Sequence, residues 1–196
     1  MTVLIIFEFL LVPVLVAYVY MQQSIFGKTA TGERLEKIKK SSNYKNGSFS
    51  NISRTPQLTE GAGFYSVMKE FLFEKNKRAT PKEILPSKKT DLLKLDPQKN
   101  VLVWFGHSSY FMQIDGKKIL VDPVLGGSAS PIATTKSFKG SDVYSVDELP
   151  EIDYLFISHD HYDHLDYQTI KKLNPKIKTL ICGLGTGAHF ERWGFD

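Results

Sequence analysis

The run Ile157-Ser158-His159-Asp160-His161-Tyr162-Asp163-His164-Leu165-Asp166 constrains this 196-residue chain more than any other feature. It packs three of the chain's five histidines and three carboxylates into eight successive positions. Imidazole and carboxylate together suit zinc and its first-row neighbours, and a catalytic centre needs such ligands on a short, stiff turn with one coordination position left open. A histidine-rich loop can also be merely polar, but four potential ligands at the spacing His-x-His-x-Asp-His favour the metal reading.

The residues before the run, Ile152 to Ile157, are mostly apolar and rich in β-branched and aromatic side chains, which predicts a buried strand. If the chain stays extended for two more residues, His159 and His161 project to the same side, because strand side chains alternate with a period of two. The backbone must then turn through Asp163 and His164. Asp166 is placed to cap a helix over Tyr167 to Leu173, with Ile170 and Leu173 on one face. Further strands are predicted at Val101–Phe105, Tyr110–Ile114, Lys118–Val121 and Thr179–Cys182, with a short helix after the last. His107 and Ser108 lie between the first two of these and either line a cleft or make the turn. His189 falls in the short helix and reads as a solvated helix-face histidine.

These residues resemble the metallo-β-lactamase fold hydrolases, whose signature is His-x-His-x-Asp-His after a strand. The segments Trp104-Phe105-Gly106-His107-Ser108-Ser109, Val121-Asp122-Pro123-Val124, Ala129-Ser130-Pro131 and Glu148-Leu149-Pro150 extend the likeness to the branch that hydrolyses N-acyl-phosphatidylethanolamine in the manner of a phospholipase D. The resemblance covers roughly Val101 to Lys172. It implies an α/β (α+β) fold, the αββα four-layer sandwich, of which residues 91–196 supply the N-terminal half. It also implies two zinc ions, the first held by His159 and His161 and the second by Asp163 and His164. Asp163 would position the nucleophile as well as hold metal, and Asp122 would support the ligands from behind, a role favoured over its alternative as the start of an Asp-Pro turn. The implied reaction is attack of a metal-activated water on a phosphodiester of a phospholipid. Hydrolysis of a lactone, ester or amide on the same fold is the alternative. No residue before Asp196 matches the family's remaining histidines or its bridging aspartate, so the sequence reads as an incomplete domain, and an inactive fragment is the third reading.

The other end of the chain differs in kind. Residues 1–22 are apolar apart from Glu8 and a few uncharged polar groups, and the segment reads as a retained membrane anchor rather than a cleaved signal. Lys28, Arg34, Lys37, Lys39, Lys40 and Lys45 follow against Glu33 and Glu36, which by the positive-inside tendency puts the catalytic part in the cytoplasm. Residues 1–90 hold 14 basic and 7 acidic side chains, whereas 91–196 hold 11 and 14. The basic part therefore lies beside the anchor, where it suits anionic lipid or is simply a solvated linker. No basic stripe with interleaved aromatics occurs, so nucleic acid is not an expected partner. Within the linker of residues 23–90, the stretch from Ser41 to Leu58, rich in Ser, Asn, Lys and Gly, reads as a loose linker or one that orders on docking. Phe64, Val67, Met68, Phe71 and Leu72 then mark an amphipathic helix expected to pack on its own domain. Cys182 is the only cysteine, which excludes an internal disulfide.

Overall fold

A computed structural model describes residues 2–74, 79–126, 128–131 and 135–195, with side chains from Leu11 onward. Helix α1 (Thr2–Met21) and helix α2 (Gly32–Lys39) precede a two-stranded hairpin, β1 (Tyr44–Lys45) and β2 (Ser48–Phe49). Asn46 and Gly47 make its turn with φ of 54° and 83°, the backbone that a two-residue hairpin loop demands and that an Asn-Gly pair adopts readily. Part of the Ser41–Leu58 linker is thus an ordered hairpin rather than loose chain. Helix α3 (Phe64–Phe73) follows.

The main sheet has five strands in the order β3 (Val101–Gly106), β4 (Ser109–Ile114), β5 (Lys117–Val121), β6 (Ile152–Ile157) and β7 (Ile177–Cys182). The first three form an antiparallel meander, and β5, β6 and β7 are parallel. Helix α4 (Tyr167–Leu173) connects β6 to β7, and α5 (Gly187–Arg192) follows β7. Parallel neighbours require such a crossover, and its helix must cover a sheet face. The result is a mixed α/β arrangement in two layers.

Burial alternates along the central strands as a pleated sheet with one covered face requires. Phe105, Phe111, Leu120, Leu155 and Ile157 join Ile170 and Leu173 of α4 and Phe190 of α5 in one core. The opposite face of the sheet carries Leu102 and Trp104, 66 and 69 % exposed, with Phe156 and Ile181 also exposed. A shallow apolar depression there is walled by Tyr110, Met112, Ile119 and Val121. A sheet face this apolar is normally covered, and large open patches of this kind are interaction surfaces.

One sequence expectation fails in the N-terminal part. No residue of α3 is buried, and Phe64, Tyr65, Phe71, Leu72 and Phe73 are all exposed, so its apolar stripe does not pack on the described domain. Helical periodicity specified the stripe but could not specify what meets it. The anchor reading of residues 1–22 falls partly outside the described residues. Among these, no helix is long and apolar enough to cross a membrane.

Candidate metal centre

Strand β6 ends at Ile157 because the next residue is captured. Buried Asp122, at the end of β5, accepts the Ser158 N–H through Oδ1 at 2.8 Å and the Ser158 hydroxyl through Oδ2 at 2.7 Å. The Asp122 N–H in turn reaches the Phe156 carbonyl at 3.0 Å. Asp122 sits at φ 42°, a left-handed backbone uncommon for a side chain other than glycine and a recurrent mark of functional positions.

The chain then turns tightly, with the N–H groups of His164 and Leu165 both donating to the His161 carbonyl. Asp166 closes the turn as the cap of α4, accepting the Gln168 N–H at 3.0 Å. Its other oxygen takes the Gly126 N–H at 2.7 Å and the Thr169 hydroxyl at 2.6 Å, pinning the loop after β5 to the start of the helix. Both ends of the histidine loop are therefore fixed by buried carboxylates.

Within the loop the three imidazoles converge. The His159 ring lies 4.5 Å from that of His161 and 3.9 Å from that of His164, centroid to centroid. Asp122 Oδ2 accepts from His164 Nδ1 at 2.8 Å. That bond places the proton of a neutral His164 on Nδ1 and leaves the Nε2 lone pair free, the usual way in which a carboxylate prepares a histidine for metal. Burial alone would raise the Asp122 carboxyl, but hydrogen bonds from His164 and Ser158 outweigh it and hold it below the ordinary value. Burial, reinforced by the neighbouring His164 and His161, lowers the pKa of His159 and favours its neutral, ligating form.

The free edge of His164 faces the turn between β3 and β4. His107 Nε2 stands 3.3 Å from His164 Nε2 and 3.1 Å from Asp163 Oδ2. Single donor atoms of His107, Asp163 and His164 all lie within 4.8 Å of one another, close enough to share one ion. Ser108 Oγ lies 2.9 Å from His164 Nδ1. His107 has φ 47°, and its carbonyl accepts the Trp104 indole N–H at 2.9 Å. The sequence left the two turn residues between a cleft role and a purely structural one, whereas their side chains meet the histidine loop. Ser158, not singled out from the sequence, bridges Asp122 to the loop; its position directly after the predicted strand was the available signal.

His189 is a correction. It is not a solvated helix-face residue: its side chain is 16 % exposed, with the Lys28 N–H donating to Nδ1 at 2.9 Å.

Comparison with known proteins bears on this geometry. Residues 117–196, from β5 through the histidine loop to α5 and beyond, match the model of the β-lactamase superfamily domain. They belong to that superfamily. The chain is 31 % identical over 157 residues to an uncharacterized protein of Mycobacterium tuberculosis, covering 79 % of this chain and 42 % of the relative. It is 32 % identical over 154 residues to the N-acyl-phosphatidylethanolamine-hydrolyzing phospholipase D 1 of Caenorhabditis elegans, covering 68 % and 39 %. A metal-dependent hydrolase of Caldivirga maquilingensis is 33 % identical over 82 residues, 41 % of this chain and 31 % of that one. Among solved structures, CmlA, a diiron β-hydroxylase from Streptomyces venezuelae, matches at 32 % identity with a TM-score of 0.36, over 52 % of this chain and 20 % of that one. The chain thus spans about two fifths of the length of the first two relatives.

Proposed function

We propose that this chain carries the metal-binding part of a hydrolase that cleaves a phosphodiester of N-acyl-phosphatidylethanolamine or a related phospholipid. The observation that carries the reading is the convergence of His107, Asp163 and His164 on one point, with Asp122 holding His164 Nδ1. The identity to a phospholipase D of the same superfamily supports the choice of substrate class.

The donor set fits a hard-to-borderline divalent ion such as zinc, since it offers imidazole nitrogen and carboxylate oxygen and no thiolate. His159 and His161 would hold one ion, and Asp163 and His164 the second. When bound, paired ions supply Lewis acidity and an activated water. The chain's own residues then have separate tasks. Asp122 fixes the orientation and tautomer of His164. Asp163 holds metal and positions the attacking group, while His107 and Ser108 form the wall on the sheet side, where the phosphate of the substrate would enter. Helix α1 serves as a retained anchor, with the basic residues from Lys28 to Lys45 at a cytoplasmic, anionic lipid surface. The exposed apolar side chains of its described part, Leu11 to Met21, support that role.

The test uses the protein as its own cell makes it, loaded with zinc and presented with a phosphodiester phospholipid and, separately, a carboxylic ester of similar acyl length. Preferential release of phosphatidic acid, lost in His161→Ala, is the expected result. Turnover of the ester alone would move the assignment to carboxylic ester or lactone hydrolysis on the same fold.

A further inference from the structure

The segment between α1 and α2 is built onto α5. Arg192 donates from Nη1 to the Gly27 carbonyl at 2.9 Å and from Nη2 to the carbonyl of Gln22, and Trp193 Nε1 donates to the Ser24 carbonyl at 2.8 Å. Arg34 donates from Nε to Glu191 Oε1 at 2.9 Å and from Nη1 to the Leu184 carbonyl at 3.1 Å. Ala30 and Ile38 pack with Ala188 in a small core of their own. The strap therefore holds its place through α5 at both ends.

His189 stands where this strap meets the histidine loop. Because the Lys28 amide donates to Nδ1, that nitrogen carries the lone pair, and in the neutral ring the proton sits on Nε2. Nε2 faces Asp160 Oδ2 at 3.4 Å, a long contact, and Asp160 lies between His159 and His161. Gly27 lets the backbone approach this closely: it has φ +65°, and a Cβ there would fall 1.6 Å from His189 Nδ1. A cleft lined by Phe26, Gly27, His161, Tyr162 and Trp193 separates strap and loop around this bridge.

We propose that His189 is a positioning residue that ties the strap after α1 to the histidine loop, through Lys28 on one nitrogen and Asp160 on the other. Its functional meaning rests on the loop being the metal loop, but the bridge itself does not. Among the described residues it is the polar link between strap and loop, so the seating of α1 sets the attitude of Asp160 and, through one residue on either side, of the two leading histidines. A histidine serving only to hold α5 against the strap would need Nδ1 alone.

Hydrogen exchange of the metal-free protein reads the bridge directly, on the His164 and Leu165 amides that close the loop turn. His189→Ala should speed their exchange by about three- to ten-fold, the worth of one modest hydrogen bond, while the Leu155 amide of β6 keeps its rate. Two further variants separate the nitrogens. His189→Gln keeps a donor where Nε2 stood and should stay near the wild-type rate, whereas His189→Asn keeps only the acceptor for Lys28 and should resemble alanine. Gly27→Ala, which displaces the ring, should do the same. Equal behaviour of the Gln and Asn variants, or acceleration of the Leu155 amide alongside the loop, would overturn the proposal. A fast loop in His189→Ala with zinc binding absent in every variant would leave the bridge standing and remove the metal reading instead.

Discussion

Asp122→Asn is expected to weaken metal binding by about 10- to 100-fold, the range seen when a carboxylate behind a metal-bound histidine is removed. Asparagine keeps a carbonyl for the Ser158 N–H, so the end of β6 stays formed, but its amide presents a donor or a weaker acceptor where Oδ2 met His164 Nδ1. The imidazole then loses the bond that sets its tautomer. Competition against a chromophoric zinc chelator measures the effect, and unchanged affinity would mean that His164 needs no such partner. The same variant carries a pH signature. The folded carboxyl of Asp122 lies below its ordinary value of 3.8, so its contribution to stability is full above that pH and is lost as the pH falls through the folded value. Urea midpoints measured below pH 3.8 should therefore fall more steeply for the wild type than for Asp122→Asn.

Phe111→Ala is expected to cost about 3–5 kcal/mol, the usual penalty for emptying a fully buried aromatic site. Phe111 is 0 % exposed and pairs across the sheet with Val103 and Leu120, on the face that meets α4 and α5. Domains of this size are stable by only about 5–15 kcal/mol, so the loss takes a large share of the whole. Met112→Ala, one residue along and on the open face, is the control and should cost well under half as much. Chemical denaturation of the two variants compares the faces directly. Equal costs would mean that the two faces of the sheet are covered alike.

Local pattern accounts for much of this. The apolar run Ile152–Ile157 is a strand with those bounds, and Asp166 caps a helix from Tyr167 to Leu173, because strand periodicity and capping are written in adjacent residues. The hairpin at Asn46-Gly47 is equally local, written in its turn pair, but the polar composition around it points to loose chain. Other features depend on contacts that no window of sequence contains. The meeting of His107 with Asp163 and His164 follows from the register of β3 on β4 and β5 on β6, which brings a hairpin turn beside a loop more than fifty residues later in the chain. His189 read as solvated because its partners, Lys28 and Asp160, arrive from two distant segments. The stripe on α3 shows the converse, since periodicity alone named a face without naming a neighbour for it.

Metal content measured on the protein purified from its own cell, compared with the His159→Ala/His161→Ala variant, decides whether the histidine loop holds metal. Bound zinc or a first-row neighbour is expected at up to two ions per chain, as in paired-ion hydrolase sites, with a clear loss in the variant and return of hydrolysis when the chelated wild type is resupplied with metal. A wild-type protein that carries no metal, or one whose metal survives loss of both histidines, would contradict metal binding by the loop.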